Sequence, residues 1–476
     1  MKILNKKLAP ASVYPEKVLQ FGTGVLLRGL PDYFIERANR QGVFGGSILV
    51  VKSTANGGVG HFREQDNRYT VHVKGVEKGS QVVETLVVSA ISRVLLAQEN
   101  WQEIMEAATN QALQVVISNT TEVGIVLDEQ DQLSAMPPHT FAGKLAAFLY
   151  RRYQAFEGDV TKGMVILPTE LIDRNGDRLK EIVLQLAHIN RLPPAFLDWL
   201  GTANFFCNTL VDRIVPGKLP QAEQLLADAE LGYRDSLAIM AESFKLWAIE
   251  TGDERVKNIL SFADVDAGVV IAPDITKFKE LKLRLLNGTH TFSCGLAILG
   301  GWETVKEAMQ DARFSQFVRN LMAMEIVPSL LAVGIGNAEA KAFADSVIDR
   351  FGNPFLEHRW ESISLNYTAK MEMRNVETIK RYIACKANPP TYMALGFAAY
   401  LLLLRDVAVR DPLAPVIRHA WKQHDLAAVV DAVLGQHSIW KIDLRTLSDF
   451  AALVVQQLKN LLETGVQTTI KSALEK

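Results

Sequence analysis

Cysteine is scarce. Cys207, Cys294 and Cys385 are the only three among 476 residues, an odd number spread far apart. They include no C-x-x-C pair, which excludes a disulfide framework and the common zinc-ligand spacing and fits a reducing compartment. Long apolar runs are missing as well. The longest, residues 392–404 (YMALGFAAYLLLL), is shorter than the roughly 20 residues that span a bilayer and ends on Arg405-Asp406. It reads as a buried core helix. The N-terminus, MKILNKKLAPASVYPEK, lacks the apolar segment of a signal peptide. Neither charge dominates: 51 basic and 53 acidic residues leave a net charge of −2. That balance gives no electrostatic reason to expect nucleic acid or an anionic membrane as partner. Together these absences predict a soluble cytoplasmic protein.

Hydrophobic residues at 48% and charged residues at 22% are enough apolar material to exclude a disordered chain. The first half alternates short apolar runs with helical stretches. The runs are 18–21 (VLQF), 48–51 (ILVV), 115–117 (VVI), 164–167 (MVIL) and 269–271 (VVI). Continuous apolar runs of that length suit strands buried on both faces of a parallel sheet. Residues 100–108 and 179–187 supply crossover helices. The pattern predicts a doubly wound α/β domain over 1–281. Beyond residue 282 strand signals fade, and 286–299, 302–309, 314–324, 376–385, 392–404 and 447–462 carry helical spacing. The second domain, 282–476, is therefore expected to be mostly helical.

The first apolar run leads into Gly22-Thr23-Gly24 within VLQFGTGVLLRG. Glycine permits a tight turn and lets the backbone approach a pyrophosphate held at a helix N-terminus. The third glycine of that fingerprint falls at Leu27, and Pro31 comes early for an uninterrupted helix. On the residues alone, a dinucleotide turn and an ordinary turn both stand. The second run ends Val51-Lys52-Ser53-Thr54, with no acidic residue to accept from a ribose. Lys52 would meet a 2′-phosphate or sit as a solvated strand end, which leaves NAD and NADP open.

Near residue 282 lies KLRLLNGTH, with Lys282, Asn287 and His290. On an α-helix Asn287 and His290 share a face, while Lys282 sits about 140° and about 80° around from them. A lysine, an amide and an imidazole suit the interconversion of a secondary alcohol and a ketone. The amine exchanges the hydroxyl proton, and the other two hold the oxygen as charge develops. A solvated Lys282 and a satisfied His290 on an ordinary helix fit the same spacing.

These segments occur together with SNTTEVG (118–124), PTELIDRNGD (168–177), NTLVDRIVPG (208–217) and RFGNPFLEH (350–358). With FGTGVLLRG (21–29) and KLRLLNGTH (282–290), in that order, they resemble the long-chain mannitol dehydrogenase family, in its hexuronate branch, over essentially the whole chain. The resemblance implies a Rossmann-type NAD(H)-binding domain, a helical C-terminal domain and metal-independent hydride transfer. The implied substrate pair is D-tagaturonate and D-altronate, with fructuronate and mannonate, or mannitol-type polyols, as alternatives. It assigns Lys282 as acid/base and Asn287 and His290 as the oxygen-positioning pair. Phe21, Gly22, Gly24, Val25, Leu26, Asn119, Thr120 and Thr121 would contact the cofactor, and Asp212 and Lys370 the sugar acid. Polyol-type members carry Asp-Asn where this chain has Glu170-Leu171, and an arginine where it has Ser362. Those departures disfavour mannitol, and Arg359 offers a replacement positive charge.

Overall fold

The computed structural model describes residues 1–54, 58–120, 124–386, 389–423 and 425–475. They form two compact units, one of residues 1–74 and 82–275, the other of 75–81 and 276–476.

The first unit is built on six parallel strands: β1 (Glu16–Phe21), β2 (Ser47–Lys52), β3 (Ile91–Leu96), β4 (Val115–Ser118), β5 (Val165–Pro168) and β6 (Phe205–Phe206). Their order across the sheet is β3-β2-β1-β4-β5-β6. Leu19 of β1 pairs with Leu49 of β2 on one side and with Val116 of β4 on the other. Every residue of β2, β4 and β5 is buried, which is why these strands read as unbroken apolar runs. Side chains alternate between faces. Val18 packs with the helix Pro31–Arg40, whereas Leu19 and Phe21 pack with the helices Phe141–Ala155 and Asn175–Ile189. In this order the direction of winding reverses between β1 and β4, and in open sheets ligands bind beyond the carboxyl ends at that point.

Pro31 explains the interrupted helix after the glycine turn. A short helix, Val25–Gly29, stops at Leu30, and Pro31 opens the next at its first position, where no N–H is needed. Two strand features depart from the sequence expectation. The run at 269 does form a strand, Val269–Ala272, but pairs with Leu246–Glu250 in a separate three-stranded sheet. An unexpected hairpin, Tyr69–Glu77 and Ser80–Val88, joins Ile239–Glu242 in another.

The second unit is built around the helix Thr391–Asp406, whose residues Tyr392 to Leu404 are all buried, as the apolar run predicts. Among the described residues no helix is long and apolar enough to cross a membrane. The helix Thr289–Leu299 packs directly on it. A Cβ on Gly295 would come within 2.7 Å of the Ala399 backbone, and one on Gly396 within 2.6 Å of the Phe292 carbonyl oxygen. Only glycine fits at either place. Three π-helical segments, Lys282–Gly288, Leu321–Ile326 and Glu372–Val376, interrupt the α-helices.

The N-terminus of helix Thr391–Asp406 is capped by Glu325, which accepts from the Tyr392 and Met393 amides at 2.8 and 2.7 Å. Burial nonetheless pushes its carboxyl up to about 8, because desolvation outweighs the backbone N–H groups. A raised carboxyl stabilises the fold while protonated and loses that contribution as pH rises through about 8. Thermal unfolding should therefore show wild type losing ground to Glu325→Gln between about pH 5 and about pH 8.5. Parallel pH profiles for the two would show that Glu325 is not the titrating group.

Candidate active site

The glycine turn sits at the carboxyl end of β1. Gly22 has φ +125°, and its N–H donates to the Val51 carbonyl at 2.9 Å. A Cβ there would stand 2.8 Å from Leu27 Cδ1 and 3.3 Å from the Asn119 carbonyl oxygen. Gly24, the residue before helix Val25–Gly29, meets nothing within 4 Å. Its lack of a side chain answers no demand of the protein's own packing and leaves open space before the helix. Val25 and Leu26, half-buried, form the first helical turn.

A cavity of about 630 Å³ opens at this turn, lined by Phe21, Gly22, Gly24, Lys52, Asn119 and Thr120 with the ends of neighbouring loops. Phe21 is held edge-on to Phe141, ring centres 5.1 Å apart. The 119–120 loop is braced from β5 and the residues after it. Asn119 Nδ2 donates to the Thr169 carbonyl at 3.1 Å, and the Thr120 N–H and hydroxyl donate to Glu170 Oε1 at 2.8 and 3.0 Å. Burial raises the Glu170 carboxyl above its ordinary range. Leu171, by contrast, is exposed. Thr121 lies outside the described residues. Lys52 is not a solvated strand end: it is buried, and Nζ donates to the Thr54 carbonyl at 2.7 Å. Behind the turn, Asp32 is fully buried, accepts from the Tyr69 hydroxyl at 2.9 Å and is pushed up to about 7 by burial. That upward shift favours the neutral carboxyl and so limits negative charge behind a turn suited to an anion.

In the second unit, Lys282 to Gly288 form a π-helix that continues into helix Thr289–Leu299. A π-helix closes its hydrogen bonds between residues five apart, so Lys282 and Asn287 stand one above the other. The α-helical expectation of about 140° between them is corrected by that extra residue per turn. His290 follows, buried, stacked on Phe351 at 4.0 Å and edge-on to His358 at 4.9 Å. Its Nε2 has no hydrogen-bond partner among the described residues. Desolvation, then His358, Arg350, Arg374 and Lys370, hold the imidazole well below its ordinary pKa. It is neutral at physiological pH, with one ring nitrogen free to meet an oxygen.

Lys370 lies in helix Tyr367–Met371, with Nζ donating to the Ile363 carbonyl at 2.9 Å and its pKa lowered mainly by desolvation. Asp212 is buried at the end of strand Thr209–Asp212 in the first unit. Its neighbour Arg213 turns elsewhere, donating to the Glu242 carbonyl and lying over the Tyr33 ring. Arg359 is not brought to His290. Its side chain is exposed and meets Glu303 at 3.4 Å. The cations that do face His290 include Arg350 and Arg374, which sequence reasoning passed over. Arg350 begins the quoted RFGNPFLEH segment, and Arg374 stands four residues after Lys370. Among the described residues no three His, Cys, Asp or Glu side chains gather as metal ligands would.

Residues 16–259 match the mannitol dehydrogenase Rossmann domain, and residues 274–462 the mannitol dehydrogenase C-terminal domain. The chain belongs to the mannitol dehydrogenase family. It is 38% identical over 478 residues to the altronate oxidoreductase of Bacillus subtilis (strain 168), covering 99% of this chain and 98% of that one. It is 34% identical over 486 residues to the altronate oxidoreductase of Bacteroides thetaiotaomicron, covering 100% of both. Among solved structures, Pseudomonas fluorescens mannitol 2-dehydrogenase, in ternary complex with NAD and D-mannitol, superposes with a TM-score of 0.69 at 24% identity over 100% of both chains. A substrate-free D-sorbitol dehydrogenase gives 0.79 at 22% identity, covering 98% of this chain and 100% of that one. Both likenesses bear on the fold, a Rossmann-type domain followed by a helical one.

The two glycines of the turn should separate under mutation. Gly22→Ala meets both the positive φ and the Leu27 side chain, and should cost about 1–3 kcal/mol. Gly24→Ala should change stability by less than about 0.5 kcal/mol. Thermal melts of the two variants check this, and equal losses would contradict it.

Proposed function

We propose that this chain is an NAD-dependent oxidoreductase that interconverts D-tagaturonate and D-altronate. Near-full-length identity to proteins named altronate oxidoreductase carries the reading. It is supported by Lys282, Asn287 and a neutral His290 with an unengaged nitrogen on one continuous helix. The glycine turn fits a dinucleotide: Gly22 takes the backbone conformation, and the open space at Gly24 admits a pyrophosphate to the helix N-terminus. Phe21, Gly22, Gly24, Val25, Leu26, Asn119 and Thr120 would hold it. NAD(H), when bound, would supply the acceptor for hydride from the alcohol carbon and the donor of hydride to the ketone carbon.

The chain's own residues manage the oxygen. In oxidation, neutral Lys282 takes the hydroxyl proton as the C–H pair leaves, and the C–O bond becomes a carbonyl. In reduction, the ammonium of Lys282 returns that proton to the oxygen. Asn287 donates from its amide to the oxygen while negative charge builds there. His290, kept neutral by burial and by the surrounding cations, aims one ring nitrogen at the same atom and leaves the proton to the lysine. Lys370 and Asp212 are the further substrate-side groups of this reading.

Two measurements test it. NADH oxidation should be fast with tagaturonate and slower with fructuronate and fructose, and NADPH should be the poorer cofactor. Preference for fructuronate or fructose would replace the substrate, and a tenfold NADPH preference, about 1.4 kcal/mol, would replace the cofactor. Lys282→Ala should lower kcat at least about 10²–10⁴-fold, the usual worth of acid–base help, with NADH affinity unchanged. Wild-type kcat in that variant would remove Lys282 from the mechanism.

A further inference from the structure

A hexuronate carries its carboxylate at the end of the carbon chain remote from the ketone, so a site that handles the ketone must hold the anion some atoms away. We propose that Arg374 is the residue that binds this carboxylate and so sets the enzyme's preference for sugar acids over neutral sugars. This assignment rests on the hexuronate reading above.

Arg374 lies in the π-helical segment Glu372–Val376, which packs against the segment that carries Lys282 and Asn287. The approach is close. A Cβ on Gly288 would stand 3.0 Å from Asn375 Oδ1 and 3.7 Å from the Arg374 carbonyl oxygen. Arg284 ties the two segments further, donating from Nη1 to that carbonyl at 2.8 Å. The Arg374 side chain then reaches toward the helix of His290. Its Nη1 donates to Thr291 Oγ1 at 3.2 Å, and the Thr291 hydroxyl donates in turn to the Asn287 carbonyl at 2.9 Å. One hydroxyl thus separates the guanidinium from the backbone of the oxygen-positioning amide.

The guanidinium itself is incompletely satisfied. Nε is buried and has no hydrogen-bond partner among the described residues. Burial lowers the Arg374 pKa. Arg374 also joins His358, Arg350 and Lys370 in acting on His290, and all four disfavour its protonation. A buried donor on a charged fork, within a group of cations around a neutral imidazole, is complementary to an anion. Of the two cations that the sequence assigned to the sugar acid, Lys370 Nζ already donates to the Ile363 carbonyl at 2.9 Å, and Arg359 is exposed and meets Glu303 at 3.4 Å. A carboxylate pairs with a guanidinium through two parallel hydrogen bonds that a neutral hydroxymethyl group cannot supply.

The test is a ratio. For wild type and Arg374→Gln, kcat/KM is measured with tagaturonate and with tagatose, its neutral counterpart, at saturating NADH. Wild type should prefer the acid, and Arg374→Gln should shrink that preference by about 10- to 100-fold, the range of a lost charge-assisted hydrogen bond. Turnover of tagatose should fall much less than turnover of tagaturonate. Arg374→Lys, which keeps the charge without the two-pronged geometry, should fall between. If wild type shows no preference for the acid, the hexuronate reading and the assignment fall together. If wild type prefers the acid and Arg374→Gln keeps that preference, only the assignment falls. Equal losses on both sugars would make Arg374 a structural residue and overturn it as well. Should the Gln variant not fold, an Arg374→Lys ratio equal to that of wild type overturns it.

Discussion

The second unit depends on two helices whose backbones touch. Helix pairs usually keep their axes about 8–10 Å apart because side chains fill the space between them. Gly295 and Gly396 remove those side chains where the helices Thr289–Leu299 and Thr391–Asp406 meet, and a single methyl at either would overlap main-chain atoms. Helix Thr391–Asp406 is apolar on all sides, so it has to be enclosed, and Glu325 satisfies the amides at its buried start. Helix Thr289–Leu299 is then fixed in place, and with it the π-helical turn that lifts Asn287 above Lys282.

Electrostatics differ between the two candidate sites, one in each unit. Around the glycine turn the acidic groups Asp32 and Glu170 are buried and held toward their neutral forms. Around His290 the neighbours are cations, and the imidazole is the group held neutral. The first arrangement lessens negative charge behind a turn suited to a diphosphate. The second gathers positive charge beside an uncharged hydrogen-bonding ring. Desolvation drives all three shifts, because a charge taken from water without a full set of partners is costly.

Much of this was legible in the sequence. The parallel strands announced themselves because burial on both faces requires unbroken apolar runs, and the helix at 392–404 did so for the same reason. The run at 269 shows the limit of that signal. It specifies a buried strand but not its partner, and Val269–Ala272 joined a different sheet. The hairpin of Tyr69–Glu77 and Ser80–Val88 escaped notice because its runs mix charged residues with apolar ones. The π-helix at Lys282 has no compositional mark, so a 3.6-residue turn misplaced the lysine relative to Asn287. Arg350 and Arg374 reach His290 only through the fold, since they lie 60 and 84 residues further along the chain.

The parallel sheet ends in two unlike margins. On one side β6 is two residues long, too short to template a further strand. On the other, β3 carries Arg93, held by Glu16 at 2.8 Å and by Glu103, while the Asn67 amide caps the Ser92 carbonyl at 2.9 Å. Open strand margins are where sheets recruit copies of themselves, and short strands, fixed charges and occupied carbonyls are the usual defences. This domain has all three, so a concentrated solution of the folded protein has little through which to grow cross-β aggregates from its largest sheet.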